Sequence, residues 1–166
     1  MQVDAPGRLG AEGECEIRPF FELEDFPGDP AEKRDRKHGD AIQNGEITMQ
    51  YLLMCCFDET AWNNLPGAEK DKIMRDYGEW VQNLINTGHF RGGAKLHPAP
   101  SATTVRMKNG RTVFTDGPFA ETKEQLGGYH VIDCMDLNEA MSIAARIPTL
   151  PAGGSVEVRC IEALEC

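Results

Sequence analysis

The segment Val113–Asp133, VFTDGPFAETKEQLGGYHVID, decides how the rest of this chain folds. It joins two strand-like apolar runs, Val113–Thr115 and Tyr129–Ile132, through a loop rich in turn formers and charge. The triplet Asp116-Gly117-Pro118 predicts a chain reversal, because Asp bonds its own backbone, Gly allows positive φ and Pro fixes φ at about −65°. A loop this specific, held by a strand at each end, is a usual place for function.

The residues on either side of this segment predict a hairpin and a capped helix. Thr103–Lys108 and Arg111–Thr115 are strand-like runs separated by Asn109-Gly110, which is the strongest short hairpin signal. After a strand over Gly128–Cys134, Asp136 and Glu139 have the spacing of a capping box. The helix that follows ends before Pro148 and is expected to bury Leu137, Ala140, Met141, Ala144 and Ile147.

The preceding stretch predicts a strand, a loop, a long helix and a second strand. Met49–Phe57 is a continuous apolar run, typical of a strand buried on both faces. Residues 58–68 are expected to form a loop, in which Trp62 either covers the core or lines a pocket. A helix over Glu69–Thr87, closed by Gly88, precedes a glycine-weakened strand over Phe90–Leu96. The helix carries one apolar stripe: Ile73, Tyr77, Trp80, Val81, Leu84 and Ile85.

With a last strand over Ser155–Ile161, the order is strand, helix, strand, inserted hairpin, strand, helix, strand. Without the hairpin this is βαββαβ, the ferredoxin-like plan of the α+β class, and it occupies residues 48–166. One sheet with both helices on the same face leaves its other face uncovered. We therefore expect a homodimer in which a second copy covers that face.

Residues 1–47 are expected to form an N-terminal arm that is largely irregular. The stretch 27–45 is polar and charged, with almost no apolar periodicity. Residues 13–24 are similar to the C-terminal residues 154–165, and a gapless alignment matches a Gly, a Glu, an Arg and a Leu-Glu pair. Two interpretations stay open: the arm is a relic of an upstream domain copy, or it adds a strand to a sheet edge or to a partner subunit.

Composition narrows the classes of function. The formal net charge of −10 and the pI near 4.8 argue against a nucleic-acid-binding surface, which needs a basic stripe. No apolar run approaches the roughly 18 to 20 residues that cross a bilayer, and the N-terminus lacks the features of a signal peptide. A cytoplasmic location is the expectation.

No cofactor and no metal are predicted. The sequence contains no Walker loop, no GxGxxG and no GxSxG nucleophile elbow. Its six cysteines show no CxxC pair and no Cys/His metal spacing. Four of them lie in strand-like runs and are expected to be reduced and buried: Cys55, Cys56, Cys134 and Cys160. The four histidines are scattered, and none is predicted to act as a ligand or a base.

Several stretches in the same order carry a family resemblance. Besides TDGPFAETKEQLGG they are YGEWVQNLINTGHFRGGAKLHP, ATTVRMKNG, GGYHVIDCMDLNEAMSIAARIP and GSVEVR. Across residues 49–162 the chain resembles the DGPF-domain, or YCII-related, family. The resemblance implies a ferredoxin-like dimeric α/β-barrel without a settled activity.

The resemblance also bears on function. In the wider family a His in the first helix and a nearby Asp have been suggested as a catalytic pair, and Tyr77 stands at that helix position here. Some relatives occur with sigma-factor genes and are labelled as transcription-initiation proteins.

Five polar residues are candidates for a site. Asp116, at a strand end, suits a base, a metal ligand or a substrate anchor, or else it only caps the turn. Tyr77 either orients a ligand or packs in the core with its hydroxyl bonded. Arg106 either clamps an anion or pairs across the hairpin. Glu121 and Lys123 either reach a ligand or, with Glu124, form a surface ion cluster.

Two functions stay open. The first is a homodimer with a small-molecule cleft beside residues 116–128, in which Asp116 and Tyr77 catalyse metal-free acid–base chemistry and Arg106, Glu121 and Lys123 bind the substrate. The second is a non-enzymatic regulatory or protein-interaction module linked to transcription. An apolar pocket that converges on Asp116 favours the first, and a flat, patchy surface with residues 13–24 ordered against a neighbouring chain favours the second.

Overall fold

A computed structural model describes residues 14–18, 20–21, 41–43 and 46–162 of the chain. These residues fall into two compact units. The smaller unit contains the described residues up to 18 together with His97–Glu121, and the larger contains those from Phe20 to Leu96 and from Thr122 onward. The boundary between Glu121 and Thr122 divides the Val113–Asp133 segment between the two units.

The described strands and helices follow one another in this order: β1 (Glu14–Ile17), β2 (Phe20–Phe21), β3 (Ala41–Gln43), β4 (Glu46–Phe57), α1 (Glu59–Asn64), α2 (Gly67–Asn86), β5 (Phe90–Leu96), β6 (Thr103–Lys108), β7 (Arg111–Asp116), β8 (Gln125–Cys134), α3 (Leu137–Ala144) and β9 (Ser155–Cys160). Short 3-10 turns lie at Ala99–Ser101 and Leu150–Ala152. The predicted α+β class is confirmed. No helix in the described part of the chain is both long and apolar enough to cross a membrane.

The larger unit is built on one antiparallel sheet with the strand order β2-β5-β8-β4-β9, and β3 folds back onto the start of β4. The long strand β4 pairs with β8 on one side and with β9 on the other. Alternate residues of β4 and β8 face the helices and form the core. The core consists of Tyr51, Leu53, Cys55, Leu84, Ile132, Cys134, Ala140, Ile143, Ala144 and Ile147.

Only one face of β4 is fully buried within the described chain, although its apolar run predicted burial on both. Leu52 and Met54 alternate with the core residues and are half-buried. Leu52 lies opposite Val131 of β8, which is also half-buried. The sheet therefore has an apolar face turned away from the helices.

The predicted end of α2 at Gly88 and the predicted N-cap of α3 are confirmed, whereas α2 begins at Gly67, before the predicted Glu69, and α3 ends at Ala144, before the predicted end at Pro148. Gly88 has φ 79° and follows α2. Its N–H bonds Ile85 O at 3.1 Å while the N–H of His89 bonds Leu84 O at 3.0 Å, which is the Schellman pair. At the start of α3 the Asp136 carboxylate accepts from Glu139 N at 2.9 Å.

Two helix predictions were wrong. Residues 58–68 are not a loop, because Asp58 caps the short helix α1 by accepting from Thr60 N and Ala61 N at 2.8 and 3.1 Å. In α3, Leu137 and Met141 are exposed instead of buried. Ile143, missed from the sequence, is buried together with Ala140, Ala144 and Ile147. Ile143 stands about 200° around the helix from Met141, so burying the β-branched residue turns the methionine outward.

The smaller unit is a three-stranded sheet in the order β1-β6-β7. The predicted β6–β7 hairpin is confirmed, and Asn109 and Gly110 have φ of 50° and 73°, as in a type I′ turn. Strand β1 adds to β6 with Glu14 opposite Arg106, while Phe20 and Phe21 of the larger unit pair with the end of β5. Most of the predicted polar stretch, residues 27–40, lies outside the described residues.

Gly78 gives the first testable prediction. It lies inside α2, and a Cβ added there meets no atom within 4 Å. We expect Gly78→Ala to raise the free energy of unfolding by about 0.5–1 kcal/mol, since glycine is a poor helix former and alanine adds no clash. Urea denaturation measures the change, with Gly67→Ala at the first residue of the helix as the control. A loss of stability in Gly78→Ala would contradict this account of α2.

Candidate functional site

A cavity of about 180 Å³ lies in the larger unit beside the second half of the 116–128 segment, and we call it the loop cavity. Its wall comes from the end of β4, helix α1, the entry to β8 and the turn before β9. Trp62, left open by the sequence, lines this cavity and packs against Phe57. The lining residues are Phe57, Asp58, Ala61, Trp62, Lys123, Glu124, Thr149, Ala152 and Gly153.

A β-bulge at Gly127 shapes this wall. Cys55 lies opposite Gly128 while Cys56 lies opposite Leu126, so Gly127 is the extra residue on β8. A Cβ at Gly127 would lie 1.9 Å from Cε1 of Phe57, so the ring rests directly on the glycine backbone. The glycine therefore places the aromatic wall, and no larger residue leaves room for the ring.

The charged groups of the loop cavity are not equivalent. Asp58 is engaged in capping α1, and the Glu124 carboxylate accepts from Ser155 Oγ. Lys123 is exposed, and within the described residues its ammonium has no hydrogen-bond or ion-pair partner. Of the two predicted substrate-binding residues at this end of the segment, Lys123 lines the cavity, whereas Glu121 belongs to the smaller unit.

In the smaller unit Arg106 holds the loop that follows β7. Its Nη1 donates to Thr115 Oγ1 at 3.0 Å, and its Nη2 donates to the carbonyl of Phe119 at 2.9 Å. The reversal at Gly117, with φ 92°, is fixed by Gly117 N donating to Ala102 O at 2.7 Å. Arg106 therefore has a bonded structural position, and its predicted role with substrate stays a prediction.

Asp116 takes no part in fixing that turn. Its side chain is exposed, and its carboxylate has no hydrogen-bond partner among the residues that the structure describes. Thr104 Oγ1 instead donates to the Gly117 carbonyl at 2.7 Å. Asp116 is thus an available carboxylate at a strand end, and its role as a base stays a prediction.

Tyr77, in the larger unit, belongs to a partly buried polar network. Its hydroxyl lies 2.7 Å from His130 Nε2 and 3.5 Å from Cys55 Sγ. Burial raises the pKa of Tyr77 well above its usual value and that of Cys55 to about 11. Burial also lowers the pKa of His130 to about 4. At neutral pH all three groups are therefore uncharged, and Tyr77 is held as a hydrogen-bond donor instead of a phenolate.

The His130 ring is enclosed by aromatic side chains and a glycine. Trp80 meets it edge-on with centroids 5.1 Å apart, and Phe90 lies 6.1 Å away. A Cβ at Gly93 would lie 2.5 Å from His130 Nδ1. Within the described residues this buried Nδ1 has no partner. An unpaired acceptor is tolerated better than an unpaired N–H, which favours the tautomer with the proton on Nε2.

His130 was not identified from the sequence as a site residue, because its neighbours in the chain form no recognisable motif with it. The available signal was alternation, since His130 points opposite to Tyr129 and so toward the helices. Its contact with Tyr77 depends on the register that sets Leu53 opposite His130, and periodicity alone does not fix register.

A second polar cluster lies near the C-terminal end of β8. Asp133 is fully buried and bonds the Arg91 guanidinium, with Gln50 Nε2 3.3 Å from its other oxygen. Nearby, His89 Nε2 lies 3.1 Å from Glu139. A buried carboxylate left unpaired is costly, so this cluster fixes the β5–β8 junction.

The described cysteines follow the predicted burial with one exception. Cys55 and Cys134 are buried and Cys56 is half-buried, but Cys160 is exposed. The prediction of a buried Cys160 was wrong because β9 pairs only with β4, which leaves one edge of the strand open.

Gly127 gives the second prediction. Gly127→Ala is expected to lower the free energy of unfolding by about 1–3 kcal/mol, because the methyl group displaces the Phe57 ring. Chemical denaturation measures it, with Gly92→Ala, where a Cβ meets nothing within 4 Å, as the control. Adding Phe57→Leu should recover part of the loss. Equal stability of Gly127→Ala and wild type would refute the contact.

His130 gives the third prediction. Burial lowers the pKa of His130 to about 4 in the folded state, whereas in the unfolded chain the imidazole has its ordinary pKa of 6.5. The stability from this group is therefore complete above about pH 7 and is lost as the pH falls toward 4. Between pH 8 and pH 5 we expect protonation of His130 in the unfolded chain to lower the free energy of unfolding by about 2 kcal/mol.

Unfolding free energies of wild type and His130→Gln, taken at both pH values, isolate that contribution. The variant should lose less stability on acidification than wild type does. Identical pH dependence in the two proteins would mean that His130 titrates normally in the fold.

Comparisons with known proteins agree on one family. The model of the YCII-related domain matches residues 49–164. An uncharacterized protein of Rhizobium meliloti (strain 1021) is 38% identical over 112 residues, which is 67% of this chain and 90% of that protein. The match spans β4 to β9, including the Gly127 bulge and the loop cavity. The chain belongs to the YCII-related domain family.

Proposed function

We propose that this protein binds a small polar molecule in the loop cavity. The observation that carries the proposal is that the Val113–Asp133 segment supplies one side of the cavity. Lys123 and Glu124 line the cavity, and Gly127 at the bulge leaves room for the Phe57 ring in its aromatic wall. Concave, largely apolar sites with a few polar groups are the usual places for small ligands.

Acid–base catalysis by Asp116 and Tyr77 is a separate part of the proposal, because neither residue lines the loop cavity. An exposed carboxylate without a hydrogen-bond partner among the described residues supports Asp116 as an available base. Tyr77 stays protonated and is held by His130 and Cys55. Its proposed role is that of a hydrogen-bond donor, not that of a nucleophile.

The larger unit is proposed to follow the ferredoxin-like plan, with a second copy of the chain on the open face of its sheet. The strand order β5-β8-β4-β9, with helices after β4 and β8, supports the plan. The half-buried Leu52, Met54 and Val131 on the face away from the helices support the dimer.

The transcription-linked interaction module has no observation in its favour among the described residues. Strand β1 pairs with β6 of its own chain. That hypothesis becomes the better one if no small molecule binds.

The fourth prediction tests the loop cavity. Thermal-shift screening of a small-metabolite library should find a compound that raises the Tm of wild type. Ala61→Leu fills the cavity from α1 and should abolish that shift, whereas Ala68→Leu, outside the cavity, should keep it.

Asp116→Asn tests the acid–base proposal in a separate turnover assay. If wild type turns over a substrate and the folded variant does not, Asp116 is the base. If Ala61→Leu responds like wild type, the loop cavity is not the binding site.

The fifth prediction concerns assembly. Sedimentation equilibrium should give a dimer for wild type and a monomer for Leu52→Glu, because a charge on the open sheet face opposes its burial. Ser142→Glu, on the exposed side of α3, should stay dimeric. A monomeric wild type at tens of micromolar would reject the proposed dimer.

A further inference from the structure

The aromatic wall of the loop cavity is the first guide to what it binds. Phe57 and Trp62 stand with centroids 5.8 Å apart and planes tilted by 52°. Both side chains are half-buried, so part of each ring remains open to a partner. Aromatic groups prefer offset or edge-to-face contact with another ring. A tilted pair beside the small side chains of Ala61 and Ala152 therefore suits a flat ring.

Charge is the second guide. The carboxylates of Asp58 and Glu124 already accept hydrogen bonds, the first from α1 and the second from Ser155. The Lys123 ammonium has no such partner within the described part of the chain. Asp58 and Glu124 keep their negative charges, but Lys123 is the charged lining group without a hydrogen-bond partner among the described residues, so it is available to an anionic group on the ligand.

Size is the third guide. A water molecule occupies about 30 Å³ of liquid, so about 180 Å³ holds about six of them. That room accepts one ring with a short substituent. The net charge of −10 weakens binding of any anion at long range. The expected affinity is therefore modest and comes from short-range contacts.

We propose that the ligand of the loop cavity is a monocyclic aromatic carboxylate, with its ring against Phe57 and Trp62 and its carboxylate on Lys123. This inference rests on the proposed function, and it adds the chemical class of the ligand. The ring supplies apolar burial, and the ion pair selects the acid over a neutral or cationic analogue.

The proposed ligand class can be tested with four small probes, which differ from one another in ring shape or in charge. Benzoate has the ring and the carboxylate, cyclohexanecarboxylate lacks the flat ring, benzyl alcohol lacks the charge, and benzylamine reverses it. Saturation-transfer NMR and calorimetric titration on the full chain should give benzoate the lowest Kd. We expect benzyl alcohol and cyclohexanecarboxylate to bind about fivefold more weakly or worse, and benzylamine not to bind.

Lys123→Met keeps the length of the side chain and removes its charge, so it should weaken benzoate about fivefold and leave benzyl alcohol unchanged. Lys108→Met removes the same charge at the exposed end of β6 and should bind benzoate like wild type. Circular dichroism of both variants checks that each is folded.

The outcomes separate this inference from the proposed function. If Lys123→Met binds benzoate as wild type does, or if benzyl alcohol matches benzoate, the carboxylate class is wrong. If a compound of another class binds and Ala61→Leu blocks it while benzoate does not bind, the cavity is a site and the class is overturned. If Ala61→Leu leaves every binding event intact, both proposals fail together.

Discussion

The absence of a side chain at Gly127 is the constraint on which this site depends. Strand β8 must carry an extra residue opposite the Cys55–Cys56 step of β4, and that residue must leave room for the Phe57 ring. A bulge there turns the direction of β8 between the two halves of its pairing with β4. On one side the strand supplies the core with Ile132 and Cys134, and on the other it leads into the loop cavity.

Sequence reasoning worked where the cause of structure is local. The hairpin turn at Asn109-Gly110, the glycine that closes α2 and the cap at Asp136 each need only a few adjacent residues. It failed on α1, whose six residues are too few to show a helical period. It also misplaced the buried face of α3, because two overlapping apolar stripes compete on that helix and only packing against β8 and β9 decides between them.

Only the part of the site that is formed by adjacent residues could be predicted from the sequence. The segment around residues 116–128 was recognisable from its composition, and Lys123 does line a cavity beside it. The opposite wall comes from Asp58, Trp62 and Thr149, which lie far away in the chain. Their approach depends on β4 lying between β8 and β9, and that is a property of the sheet. The contact between Tyr77 and His130 could not be predicted from the sequence either, because it joins residues 53 positions apart and depends on strand register.

The polar groups of the larger unit illustrate two ways of burying polar side chains in a core. Asp133 stays with Arg91 as a buried ion pair, whereas His130 and Tyr77 share a neutral hydrogen bond. The ion pair gains its energy from opposite charges at short range and is lost if one partner is removed. The neutral pair avoids the desolvation of charge altogether. It is therefore insensitive to salt but sensitive to acid.

The unequal exposure of the thiols has a practical consequence. Burial raises the pKa of Cys55 to about 11 and that of Cys134 to about 12, so neither presents a thiolate near neutral pH. Cys160, on the open edge of β9, is exposed. Among the described cysteines, a maleimide dye would therefore attach first to β9, the strand next to β4. In a variant that keeps Trp62 and lacks Trp80, energy transfer to that dye would then report on the aromatic wall.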